Sequence, residues 1–437
     1  MDANDRGLVQ FTALAHALFH TYELSIPLFV GLWMAEFGVS AAVIGAVVGA
    51  GYGLVGIGAL PSGILADRLA SRRLILLSVV GMGVGFLLVS LARGVVTLGV
   101  AVVVWGAFAS LYHPCGLSLI SRSADARGTV FAYHGAGGNV GTDAGPLVTA
   151  LLLLAVEWRV AVALLALPAF AAALIGSRIQ FESVTAEDVG EVADEDVGEP
   201  ASASDEGPSN GERNDTSPKG SEGTLLDDVR RTVADTRSLF GLGFSVAFVA
   251  VLLYGTYYRG LLTFLPDVLA GSTALAPIEV LGREVNPSQY VYSALLTVGI
   301  GGQYAGGRLT DRLPSTTAFT GSLIVLVALA LLFPVASSAG VVPLVAVSLA
   351  LGFFVYGTAP IYQVVIAEQA ADDVHGLSYG YTYLAMFGIG ALGASMAGAA
   401  LTYATSATLF VALATIAAAG VGCAVLLRRL SSGRSSD

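Results

Sequence analysis

The sequence predicts an all-α integral membrane protein with twelve transmembrane helices in two pseudo-symmetric six-helix bundles. Three observations predict it. First, 55% of the 437 residues are hydrophobic, only 12% are charged and the mean hydropathy is +0.76, whereas a soluble domain carries about 25% charge. Second, the apolar residues gather in blocks such as Leu74–Ala92, Val95–Tyr112, Val160–Ile175, Phe319–Ala336 and Leu409–Leu427. Each is near or above the roughly 20 residues that cross a hydrocarbon core of about 30 Å. Backbone amides find no water there, so the blocks must be helices, and the alternating pattern of a β-barrel is missing. Third, landmarks of the first half return in the same order in the second.

The helices are expected at 9–36, 41–66, 73–92, 95–121, 128–155, 158–178, 239–266, 288–310, 316–336, 340–367, 376–404 and 406–429, here numbered spans 1 to 12. Three units follow: an amino-terminal bundle over 1–178, a linker over 179–238 and a carboxy-terminal bundle over 239–437. The linker holds sixteen acidic and five basic residues, which accounts for the whole net charge of −11 and leaves the membrane body neutral. Its Glu, Asp, Ser, Gly and Pro cannot bury enough apolar surface to fold alone, so it is expected to be a disordered cytoplasmic tether. Lys219 is the only lysine, which with the acidic linker points to a halophilic, high-salt cytoplasm. No basic patch exists on which nucleic acid could bind.

The first apolar block carries His16, His20 and Glu23 and lacks a basic leader, so it is expected to remain as a span rather than be removed as a signal peptide. Cys115 and Cys423 lie in separate apolar blocks and read as small hydrophobic residues. Arg68, Arg72, Arg73, Arg122, Arg127, Arg178, Arg312, Arg428 and Arg429 gather on one side, against Arg93, Arg159 and Arg283 on the other. The positive-inside rule then places both termini and the linker in the cytoplasm, and the chain in the plasma membrane as a multi-pass protein.

The repeat is explicit. Gly63-Ile-Leu-Ala-Asp67-Arg68 ends span 2 and Gly307-Arg-Leu-Thr-Asp311-Arg312 ends span 8, with 244 residues between the aspartates. Pro114 and Pro360 stand 246 apart, and Gly128 and Gly376, which open spans 5 and 11, stand 248 apart. Duplicated halves are how many transporters build a central site between two bundles.

Gly63, Leu65, Ala66, Asp67 and Arg68, followed by Arg72 and Arg73, resemble the signature between helices 2 and 3 of the major facilitator superfamily (MFS). Gly307, Asp311 and Arg312 resemble its weaker second copy. Ala70-Ser71 departs from the usual Gly-Arg. The resemblance covers essentially the whole chain and implies the MFS fold, with these charges forming a network that locks the outward-facing state. A narrower likeness is to the fosmidomycin-resistance branch: His16, Tyr22 and Pro27 in span 1, His113-Pro114-x-Gly116 in span 4, and Gly137-Gly138-Asn139-Val140-Gly141-x-x-x-Gly145-Pro146 in span 5. His20 and Cys115 stand where that branch has acidic residues. Gly141, Gly145 and Pro146 also resemble the helix 5 signature of proton-coupled antiporters, which implies export.

From the residues themselves, His16, His20 and Glu23 are spaced i, i+4 and i+7 and share one helix face. Ionisable groups in a bilayer are costly unless they face a wet cavity or a partner, so this face is the leading substrate or proton site, with an interhelical hydrogen-bond cluster as the alternative. His113 precedes Pro114, whose ring interrupts the helical ladder. His134, Asn139 and Asp143 lie along span 5, but His134 and Asp143 are on opposite faces, while Gly138, Gly141 and Gly145 share the His134 side and permit close backbone approach. Arg259 in span 7 could hold an anion or could snorkel to the interface. Tyr356 and Gln363 are further cavity candidates in span 10.

These readings converge on a secondary transporter that moves a small solute by alternating access, with proton-coupled efflux of a drug or metabolite as the leading mechanism and metabolite uptake as the alternative. A receptor or channel would need a signalling module or a continuous pore lining, and no enzyme activity is expected. No cofactor is expected beyond a coupling proton. His16 and His20 have metal-like spacing, yet only Glu23 accompanies them in the same helix, so no metal is assigned. The expected partners are the bilayer and the solute, with the chain a monomer.

Overall fold

The computed structural model describes residues 1–182, 236–280, 283–370 and 375–434. Most of the predicted linker, 183–235, lies outside these residues, as do the side chains of Asp67 and Arg68. Twelve spans are present among the described residues. Span 1 is Ala3–Phe37, started by the Asp2 carboxylate, which accepts from the Asp5 N–H at 2.7 Å. Spans 3, 5 and 6 are Ser71–Ser90, Arg127–Ala155 and Trp158–Arg178. Span 7 is Leu242–Ala270, and spans 8, 9 and 10 are Pro287–Thr310, Ser315–Ala339 and Val341–Ala367. Span 12 is Ser406–Arg434.

Three spans predicted as single helices are interrupted, each for a local reason. Span 2 is Ala41–Ile57 followed by Ala59–Arg68, and the break falls just where Pro61 cannot donate to the carbonyl of residue 57. Span 4 is Val95–Ala109 followed by Tyr112–Ser123; Pro114 withholds the bond that Ser110 would otherwise receive. Span 11 is His375–Tyr383, a π-helical turn Leu384–Ile389 and Leu392–Tyr403, with the Gly390 N–H reaching back five residues to Ala385 at 2.9 Å. Such turns commonly sit at functional sites. A short hairpin, β1 Ile278–Val280 and β2 Arg283–Val285, joins spans 7 and 8 with Glu279 opposite Glu284.

Ten of the spans are long and apolar enough to cross a bilayer on hydropathy alone. Spans 1 and 8 are more polar because each turns a polar face to the opposite half. In the first half the extensive helix pairs are 1 with 5, 2 with 4, 3 with 4 and 3 with 6. Six spans later these four pairs return as 7 with 11, 8 with 10, 9 with 10 and 9 with 12, and span 7 also packs along span 12, a pairing much weaker between spans 1 and 6. The two-fold repeat read from three sequence landmarks is therefore a repeat of helix packing. Between the halves, span 2 lies along span 11 and span 5 against span 8, with span 1 touching span 7. At the end of span 2 remote from the termini, the Ala42 N–H donates to the Thr402 hydroxyl at 2.8 Å.

The closest pairing in the first half depends on small residues. A Cβ added at Gly141 would strike the carbonyl of Ala17 in span 1, and one added at Gly138 would strike the His16 ring. Glycine at these positions lets two backbones meet where no hydrophobic effect drives helices together in lipid. Substituting Gly141 with valine is expected to force spans 1 and 5 apart at a cost of about 1–3 kcal/mol or more. The check is a lowered thermal unfolding midpoint of the purified protein in detergent, with Gly321→Val, which meets open space, as the neutral comparison.

Candidate functional site

Half-way along span 1, three polar side chains project toward the seam between the halves. Glu23 is 1% exposed and forms a short ion pair with Arg259 of span 7, itself 2% exposed. Its other oxygen accepts from His20 Nδ1 at 2.7 Å. His20 Nε2 lies 3.1 Å from His16 Nε2, and His16 Nδ1 donates to the backbone carbonyl of His134 in span 5 at 2.8 Å. The His16 and His134 rings stack with centroids 4.1 Å apart. His113 of span 4 meets His16 edge-on at 5.1 Å, with Tyr383 of span 11 at 5.2 Å on its other side. One connected network thus runs from span 5 through span 1 to span 7.

Arg259 is held by more than its carboxylate. Its guanidinium lies 3.9 Å from the centroid of Tyr52 in span 2 and 5.2 Å from those of Tyr258 and Phe387. Cation–π contacts of this kind contribute about 0.5–2 kcal/mol each. Tyr52 in turn donates to the backbone carbonyl of Glu23 at 2.7 Å, fixing the turn of span 1 that presents the carboxylate. Tyr258 and Tyr356 share a hydroxyl contact at 3.2 Å. Arg259 Nε and the buried Tyr292 hydroxyl have no hydrogen-bond partner among the described residues. The site therefore offers unused donors beside a cation, which suits an anionic or hydrogen-bond-accepting solute.

Of the residues singled out in the sequence, the structure brings His16, His20, Glu23, His113, His134 and Arg259 into one cluster, with Tyr356 one contact further. Arg259 does not snorkel. Asp143 faces away from His134, as the helix geometry required, and accepts a short hydrogen bond from Thr297 of span 8. Asn139 is half-buried and Gln363 is exposed; neither joins the ion-pair network. Gly145 and Pro146 continue the span 5 face packed on span 1, where a Cβ at Gly145 would meet Thr21.

In the charge motif, Arg72 donates to the carbonyls of Gly176, Ser177 and Ile179 at 3.1, 3.1 and 2.6 Å and lies 4.7 Å from the Phe181 ring centroid. It caps the end of span 6 in this conformation, satisfying carbonyls that the helix leaves open. Asp311 and Arg312 are exposed, and Gly63 and Gly307 have open space around them.

Sequence reasoning missed Tyr52, Tyr112, Tyr258, Tyr383 and Phe387. Tyr112 donates to the Thr12 carbonyl at 2.6 Å and packs beside His113 and His134. The available signal was the density of tyrosines in otherwise apolar spans, because a phenol hydroxyl in hydrocarbon requires a partner.

Two bundles related by a packing repeat, with a buried charged site where they meet, define a secondary transporter. The chain belongs to the Major Facilitator Superfamily, whose family model matches residues 12–395. No curated protein matches the sequence. Among solved structures it is similar to a bacterial homolog of the human lysosomal transporter Spinster in an inward-facing, occupied conformation, with 14% identity, a TM-score of 0.69 and 98% of each chain covered. It is also similar to the nucleoside transporter NupG, with 13% identity, a TM-score of 0.72, and 96% of this chain and 99% of that one covered. A peptide transporter POT in complex with sulfate matches with 15% identity, a TM-score of 0.69, and coverage of 98% and 94%. At these identities the likeness is one of fold. The family and these neighbours are transporters of small solutes, not enzymes.

The ion pair makes a direct prediction. Replacing Arg259 with methionine leaves Glu23 buried without its main counter-charge and is expected to destabilise the protein by about 3–5 kcal/mol. The double variant Glu23→Gln, Arg259→Met is expected to recover most of that loss. Unfolding midpoints of the three proteins in one detergent test this; equal midpoints for Arg259→Met and wild type would show that the pair carries no stability.

Proposed function

We propose that this transporter exports a small anionic or amphiphilic solute in exchange for protons. The observation that carries the reading is the Glu23–Arg259 ion pair, which joins span 1 of one half to span 7 of the other within a dry, tyrosine-lined centre. An anion reaching the unused Nε donor of Arg259 competes with Glu23 for the guanidinium. Displaced, the Glu23 carboxylate keeps its bond from His20 and the contact between the halves is broken, so solute binding and rocking of the bundles become one event.

The coupling carboxylate in this reading is Asp143. It stands inside the antiporter-like Gly141-x-x-x-Gly145-Pro146 element and bonds Thr297 across the seam of spans 5 and 8. A proton on Asp143 removes the charge from that bond, roughly halving its strength, so proton loading loosens the seam. Export is supported by the antiporter-like element, and within the superfamily the motifs place the chain nearest to the fosmidomycin-resistance-like branch. The arginine distribution supports cytoplasmic termini, the single lysine and the acidic linker support a halophilic cell, and in this reading the chain acts as a monomer in the plasma membrane.

Proteoliposomes loaded with an internal pH dye, in high-salt buffer, test the reading with a panel of small anions and amphiphilic drugs. A substrate gradient is expected to drive protons the opposite way, and Asp143→Asn is expected to abolish the proton signal while the protein still folds. Proton movement in the same direction as the solute would replace export with uptake. Solute movement without protons in the wild type would sink the antiport mechanism and leave the transporter assignment standing.

A further inference from the structure

The geometry of the histidines points to a function that neither solute transport nor proton exchange requires: we propose that His16, His20 and His113 form a binding site for a divalent d-block cation such as Zn²⁺. The donor atoms of these three residues lie within 4.8 Å of one another. The two histidines of span 1 have the i, i+4 spacing that puts both rings on one face. What the sequence of span 1 lacks, a third ligand, is supplied by span 4, whose break before Pro114 turns His113 toward them.

The tautomers are set by their partners. His16 Nδ1 faces the His134 carbonyl at 2.8 Å, and a carbonyl can only accept, so that nitrogen carries its hydrogen. His20 Nδ1 faces the Glu23 carboxylate at 2.7 Å, which also accepts from Arg259, so it carries its hydrogen too. With their Nδ1 atoms so committed, the two rings meet through Nε2, and these atoms lie 3.1 Å apart, in hydrogen-bond contact. One shared proton spans that contact, and one metal ion bound by both Nε2 atoms can replace it.

The arrangement is that of a built metal site. Tetrahedral Zn–N bonds of about 2.0–2.1 Å separate neighbouring ligand nitrogens by roughly 3.3 Å, close to the 3.1 Å between the His16 and His20 Nε2 atoms, and the His113 donor lies within 4.8 Å of both. Each span 1 ligand already donates the N–H of its other ring nitrogen to an oxygen, carboxylate in one case and carbonyl in the other, and such hydrogen bonds orient metal-binding histidines and raise their basicity. Neutral imidazoles select borderline ions of the zinc, cobalt and nickel type over calcium or magnesium. Three protein ligands leave a fourth position open for water or for a chelating group.

The test uses the full chain in detergent, stripped with chelator and with any polyhistidine tag removed, titrated with Co²⁺. One equivalent is expected to bring up the intense visible bands of tetrahedral cobalt, and Zn²⁺ is expected to displace it. His20→Ala and His113→Ala should each weaken binding by at least about 100-fold, and Glu23→Gln by about 10–100-fold. Cys423→Ser in span 12, outside the histidine cluster, should leave binding unchanged. His113→Cys should retain the ion and add a thiolate-to-cobalt charge-transfer band. The proposal is overturned if cobalt gives only weak octahedral bands, or if binding persists in His113→Ala. Should a variant fail to fold, X-ray absorption of the zinc-loaded wild type decides: three imidazole nitrogens at about 2.0 Å support the site, and fewer than three overturn it. None of these readouts depends on transport, so failure of the antiport reading leaves them untouched.

Discussion

A charge taken out of water must find its opposite, and in this molecule that constraint is met across the boundary between two halves. Glu23 and Arg259 are both nearly inaccessible, and neither half contains the other's counter-charge at that point. The desolvation of each ion costs several kcal/mol and is offset only while the pair holds with good geometry and further hydrogen bonds. Tyr52, His20 and the aromatic rings around the guanidinium supply that geometry. The same residues therefore join the halves and hold the buried charges of the centre.

The packing around this pair follows from the solvent. Lipid offers no hydrophobic gain for bringing two helices together, so close approach has to come from small residues and from hydrogen bonds. The glycines of span 5 provide the first, seating span 1 so deeply that the His16 ring lies where a side chain at 138 would be. The second is seen along the seams, where Ala42 meets Thr402 and Asp143 meets Thr297. Proline-induced breaks in spans 2 and 4 and the π-helical turn of span 11 occur at the level of the site, where unpaired backbone groups line protein rather than lipid.

The histidines show how one cluster can be charged with more than one task. Their Nδ1 atoms are committed to a carbonyl and a carboxylate, and their Nε2 atoms are turned to a common point. Because Glu23 orients His20 and also holds Arg259, whatever occupies that point is electrostatically linked to the Arg259 guanidinium. Arg72, one of the charges that the resemblance assigns to the gating network, donates in this conformation to the end of span 6.

What the sequence determined by itself was everything that depends on composition and period. The membrane class, twelve spans, the duplication and the shared face of His16, His20 and Glu23 all follow from hydropathy, chain length across a bilayer and the 100° turn per residue. The opposite facing of His134 and Asp143 was legible for the same reason. What only the tertiary structure decided was which faces meet. That Arg259 pairs with Glu23, 236 positions away, that His113 completes a group begun in span 1, and that Tyr52 and Phe387 enclose the guanidinium depend on how helices far apart in the chain are set side by side. No local propensity encodes such pairings; they arise from the joint requirement that glycine faces interlock and that each buried charge and hydroxyl reach a partner.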